Sequence, residues 1–199
     1  MAVHRFIYGV TFIASILISR NLLSDPADAA AGLATFGQVL AVSAAGFGLA
    51  VVLTPLAHER MPETTWIVVC LLVGAASQLL LTVTVSRAAL LVAAALLGLA
   101  AQGAKIAVDT LVQRDTDDAY RGRAFALYDV LYNAAFVGAA ALAAAVLPDD
   151  GWSRAAFVGL ALAYVVTALA FRTGVRRGAP GTVVVATGPA PSTGSDERI

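Results

Sequence analysis

From Leu90 to Leu147 the chain reads LLVAAALLGLAAQGAKIAVDTLVQRDTDDAYRGRAFALYDVLYNAAFVGAAALAAAVL. Two long apolar runs flank a charged turn, Gln113 to Arg123, and each run has the roughly 20 residues a helix needs to cross bilayer hydrocarbon. Lys105 and Asp109 lie inside the first run; Asp129 and Asn133 lie inside the second. Ionisable groups in such segments are costly and by default mark a working site or pathway. The competing reading is that Lys105 and Asp109 snorkel to the interface and that Asp129 serves a structural ion pair.

The rest of the chain fits the same solvent. Of 199 residues 59% are hydrophobic and 13% are charged, with a mean hydropathy of +0.82. A water-soluble domain carries about 25% charged residues, so the composition indicates an integral membrane protein. A formal net charge of zero argues against a nucleic-acid binder. The lone Cys70 cannot form an intrachain disulfide, and His4 and His58, both near segment ends, are too few to hold a haem. No cofactor is implied.

Six segments qualify as spans: about 6–23, 32–56, 65–85, 88–112, 124–147 and 155–171. Together, residues 1–172 read as one all-α transmembrane domain. His4 and Arg5 before an apolar run resemble a signal peptide, but the run is too long and no small-residue cleavage pattern follows. Trp66, Trp152 and Tyr164 are expected at membrane interfaces. Asp118 is expected to cap the fifth helix. Residues 173–199, rich in Gly, Pro, Thr and Ser, read as a disordered cytoplasmic tail in which the strand-like Thr182–Ala186 has no partner. Six spans put both termini on one side. That side collects Arg5, Arg60, Arg114, Arg121, Arg123, Arg172, Arg176 and Arg177, against Arg20, Arg87 and Arg154 on the other. The bias places both termini and the charged turn in the cytoplasm.

The third and sixth spans carry no charge, so they are expected to face lipid while the fourth and fifth line a polar interior. Gln102, Lys105 and Asp109 share one helical face. Phe125, Asp129, Tyr132 and Asn133 form the matching face on the fifth helix. Antiparallel neighbours would bring Lys105 and Asp129 to similar depth, free to pair.

The segment Asp117-Asp118-Ala-Tyr-Arg121-Gly122-Arg123-Ala-Phe-Ala-Leu-Tyr128-Asp129 resembles the cytoplasmic loop before the penultimate helix of major facilitator superfamily transporters. Gly48 through Leu53-Thr54-Pro55 to His58-Glu59-Arg60 is similar to the degenerate copy of that family's loop signature, departing from its fuller Gly-x-x-x-Asp-Arg core. The resemblance covers about Arg5 to Phe171 and implies the carboxy-terminal six-helix half of such a transporter. It further implies inverted three-helix repeats and a substrate site between two halves. By the same resemblance Gln102, Lys105, Asp109, Asp129, Tyr132 and Asn133 line the substrate or proton pathway, and Asp118, Arg121, Gly122 and Arg123 form a conformational loop.

Three functions compete on the sequence. The first is half of a proton-driven exporter of small organic molecules in a bacterial plasma membrane, a truncated chain whose amino-terminal half is missing or separately encoded, or replaced by a second copy. The second is a non-transporting assembly partner or decayed remnant. The third is a membrane enzyme, disfavoured because both histidines are peripheral and Asp115, Asp117 and Asp118 crowd one loop without a second cluster. The partners expected are lipid, a small-molecule substrate and the other half, with no nucleic acid.

Overall fold

The structure, a computed structural model, describes residues 1–178. Six helices alternate in direction: α1 (Ala2–Leu17, continuing as a π-helical turn, Ile18–Leu22), α2 (Ala29–His58), α3 (Glu63–Val83), α4 (Arg87–Asp115), α5 (Asp118–Val146) and α6 (Arg154–Gly178). All six are long and apolar enough to cross a membrane. Their starts follow local chemistry. Asp28 accepts from Ala31 N (2.9 Å) and Ser86 from Ala89 N (3.1 Å), satisfying amides the first helical turn leaves unpaired. On α5 the cap is Asp117, which accepts from Ala119 N (3.1 Å), rather than the expected Asp118, which is the first helical residue.

Small residues set which helices meet. A side chain at Gly46 of α2 would collide with the Ala95 carbonyl of α4, and one at Gly98 of α4 with the Ser43 carbonyl of α2. The two backbones therefore pack directly, as small-residue faces allow in lipid. On the other side Gly9 of α1 admits α5, with Ala139 Cβ 2.7 Å from where a Cβ would stand. Helix α3 packs on both α4 and α6: a Cβ at Gly74 would stand 2.9 Å from the Tyr164 ring, and one at Gly103 of α4 would stand 2.8 Å from Cys70 Sγ. Exchanging the first three helices with the last three maps the α2–α4 pair onto α5–α1, the relation expected of an inverted repeat.

Several expectations about faces need correction. Helix α3 is among the most buried rather than lipid-facing: Gln78 is fully buried, accepts from Thr11 Oγ1 of α1 (3.1 Å) and donates to Ser77 Oγ (3.1 Å). An uncharged amide needs partners in hydrocarbon as a charge does. Trp66 is 9% exposed and donates its indole N–H to Thr54 Oγ1 (3.2 Å), and Tyr164 is wholly buried, so neither is an interface anchor. Trp152 is partly buried and donates to the Leu81 carbonyl at the end of α3 (2.9 Å). Helices α4 and α5 are not close neighbours; α5 packs on α1 and buries only Ala139 and Ala143. Helix α6 runs past the expected end at Phe171, so Thr173–Gly178 are helical; the remainder of the expected tail, residues 179–199, lies outside the described residues.

Candidate functional site

The polar groups gather at the end of the bundle where α1 and α5 begin and α4 ends. Helical spacing puts Lys105 over Asp109, and the ammonium meets Asp109 Oδ2 at 2.6 Å. The pair is only partly exposed, 34% and 26% at the two side chains. Asp109 Oδ1 is buried with no hydrogen-bond partner among the described residues. Lys105 Nζ lies 5.9 Å from the centroid of the Tyr128 ring on α5. Tyr128 stacks on Tyr132, one turn along (5.7 Å, 24°). The Tyr132 ring also meets the Arg5 guanidinium of α1 at 4.6 Å, and Phe136 (4.3 Å) and Tyr8 (5.3 Å) complete the surroundings of Arg5. Each of the two stacked phenol rings on α5 thus has a cation beside it, Arg5 of α1 at Tyr132 and Lys105 of α4 at Tyr128.

Aromatic contacts continue inward. Tyr8 stacks on Phe12 and on Phe47 of α2, and Phe12 meets Phe36 of α2 and Phe136 of α5. Deeper still, Thr11, Phe12 and Ser15 of α1 and Val39 and Ser43 of α2 line a narrow cleft of about 30 Å³ that Leu90 and Leu97 of α4 close.

The residues expected to form a pathway are only partly brought together. Lys105, Asp109 and Tyr132 belong to the cluster. Asp129 is exposed and its carboxylate has no partner among the described residues, so the expected Lys105–Asp129 pairing is not formed. The reason is reach: Asp109 stands one turn from Lys105 on its own helix, whereas α5 turns Tyr128 toward Lys105. Asn133 is exposed and donates its amide to the Asp129 backbone carbonyl (2.8 Å). Gln102 is partly buried and its side chain makes no hydrogen bond among the described residues. Arg5, Tyr8, Tyr128 and Phe136 were missed. The recurrence of Tyr128, Tyr132 and Phe136 every four residues was the available signal, with Arg5 and Tyr8 three apart on α1.

The expected conformational loop is mostly helix. Only Thr116 and Asp117 connect α4 to α5, so Asp118, Arg121, Gly122 and Arg123 occupy the first two turns of α5. Arg121 Nη2 contacts Asp118 Oδ1 (2.5 Å) and the Thr116 carbonyl (3.3 Å), while Arg123 is exposed and Gly122 faces open space. Arg114 ties the end of α4 to the start of α3 through Glu63 (3.0 Å) and also meets Asp115 (2.9 Å). His4 is not peripheral: it is 2% exposed, its ring 5.4 Å from that of Tyr164.

Six long apolar helices with charged groups on one open face define a polytopic α-helical membrane protein. Comparison with known proteins refines this. The chain is 34% identical over 186 residues, 90% of its length, to the uncharacterized MFS-type transporters Mb0038c of Mycobacterium bovis and Rv0037c of Mycobacterium tuberculosis. It belongs to the major facilitator superfamily, and it spans 40% of the length of these curated relatives. No family model matches the sequence, and no solved structure does.

Proposed function

We propose that this chain supplies the carboxy-terminal half of the translocation pathway of a secondary transporter, exporting a small organic molecule across a bacterial plasma membrane in exchange for protons. The observation that carries the reading is the placement of the Arg5, Lys105, Asp109, Tyr128 and Tyr132 cluster on the side the bundle leaves open. Helix α5, which contributes both tyrosines, buries two residues, where α3 buries nine. A face carrying charge in hydrocarbon calls for cover, and in this superfamily a second six-helix bundle rocks against the first around such a site. Asp109 and Asp129 are the candidate proton carriers: one has an unpaired buried oxygen, and the other has no partner among the described residues.

The test is a chimera in which this chain replaces the matched part of a mycobacterial relative, reconstituted in proteoliposomes with an entrapped pH-sensitive dye. Adding members of a panel of small organic acids and amines is expected to drive proton flux in the chimera and none with this chain alone. Asn in place of the carrier, Asp109 or Asp129, is expected to abolish substrate-driven proton flux, and Asn in place of the other is expected to leave it. Saturable transport by the chain alone would overturn the half-site reading in favour of a homodimer. An inert chimera that is folded and inserted would remove the transport reading.

A further inference from the structure

Arginines in this bundle divide cleanly. Arg87, Arg114 and Arg121 each reach a side-chain or backbone acceptor. Among the described residues, Arg20, Arg60, Arg123, Arg154 and Arg172 reach none, and all five are exposed. Among the described residues Arg5 alone is both partly buried and without any acceptor. Its Nε is buried and unpaired, whereas its two terminal nitrogens are not among the buried atoms. Among the described residues no carboxylate comes within ion-pair distance of it, although the neighbouring Lys105 is matched by Asp109. The three rings around Arg5 stabilise its charge through their faces but use none of its five N–H donors. A guanidinium left with its donor edge free, beside apolar rings, suits an anion that offers two oxygens, as carboxylates and phosphates do.

From this we infer that the site takes an amphipathic organic anion, its charged group on the Arg5 guanidinium and its apolar or aromatic body against Tyr8, Tyr132 and Phe136. The inference rests on the transporter reading only for its biological sense; the binding chemistry stands by itself. Both a soluble organic acid and the headgroup of an anionic lipid present this chemistry, and the two are separable.

The full chain in phosphatidylcholine nanodiscs is titrated with 1-naphthoate, its neutral carboxamide and 1-naphthylmethylamine, following displacement of radiolabelled naphthoate. Naphthoate is expected to bind saturably and at least about tenfold more tightly than either analogue, the scale of one charge-assisted contact. Arg5→Gln is expected to weaken it by about tenfold or more. Asp109→Asn, which frees Lys105, is expected to tighten it. These opposite signs keep the test decisive if Arg5→Gln misfolds, because a stable Asp109→Asn protein with unchanged or weaker binding also overturns the proposal. A parallel set in nanodiscs containing phosphatidylglycerol identifies the source. Competition by that lipid, lost in Arg5→Gln, assigns the site to a headgroup; undiminished naphthoate binding assigns it to a soluble acid. Equal binding of acid and amine, or none of either, overturns the proposal. An inactive chimera with intact, Arg5-dependent naphthoate binding would remove the transport reading alone, while amine-only flux would remove the anion alone.

Discussion

At the residue scale, Lys105, Gln78 and Trp66 each find a polar partner on their own helix or on one packed against it. Lys105 is the clearest case. Its partner is Asp109, so Lys105→Gln and Asp109→Asn are expected to be non-additive, with a coupling of about 1 kcal/mol for a partly exposed pair. Lys105→Gln and Asp129→Asn are expected to add. Equilibrium unfolding of single and double variants in mixed micelles reads both cycles, and coupling of Lys105 to Asp129 would contradict the geometry. The Thr11–Gln78 bond between α1 and α3 gives a second cycle. Thr11→Val with Gln78→Leu is expected to show a coupling of about 0.6 kcal/mol, the typical worth of an interhelical hydrogen bond in a membrane protein. A coupling of zero would mean that the single Thr11 hydroxyl proton goes to the Ile7 carbonyl of its own helix (3.0 Å) instead.

At the scale of elements, glycines decide which helices touch. Gly98→Ala drives a methyl into the Ser43 carbonyl, and Gly46→Ala into that of Ala95, so either change must separate α2 from α4. Each is expected to cost about 3 kcal/mol or more, since backbone cannot yield as a flexible side chain can. Gly48→Ala, two residues along the same helix, meets nothing within 4 Å and should fall within about 0.5 kcal/mol of the parent. Thermal unfolding of the three variants compares them directly. If Gly48→Ala is as damaging as Gly98→Ala, close α2–α4 packing is wrong.

At the scale of the molecule, six alternating helices put residues 117 and 150 at opposite ends of the bundle. The arginine bias predicts that the 117 end is cytoplasmic. In a Cys70-free background, single cysteines replacing Asp117 and Asp150 should therefore label differently. Membrane-impermeant maleimide applied to intact cells is expected to reach position 150 and not position 117. The reverse pattern would invert the protein in the membrane. The open side of α5 bears on the same scale, because Val130, Leu131 and Val137 are exposed beside the tyrosine pair. An apolar flank around a polar cluster is what a second bundle, or lipid, would cover.

The number of spans and their type were legible in the residues alone, because membrane insertion depends on length and hydropathy, which are properties of contiguous residues. The sequence also located Lys105, Asp109 and Tyr132, since a charge or phenol in an apolar run is conspicuous one residue at a time. Only the tertiary structure decided that Gln78 faces inward, that Lys105 pairs with Asp109 and not Asp129, and that Arg5 stands against Tyr132 and Phe136. Those facts depend on which helix lies beside which. In lipid that choice rests on close backbone approach at Gly9, Gly46 and Gly98, where the information is the absence of a side chain and the partner is distant in sequence.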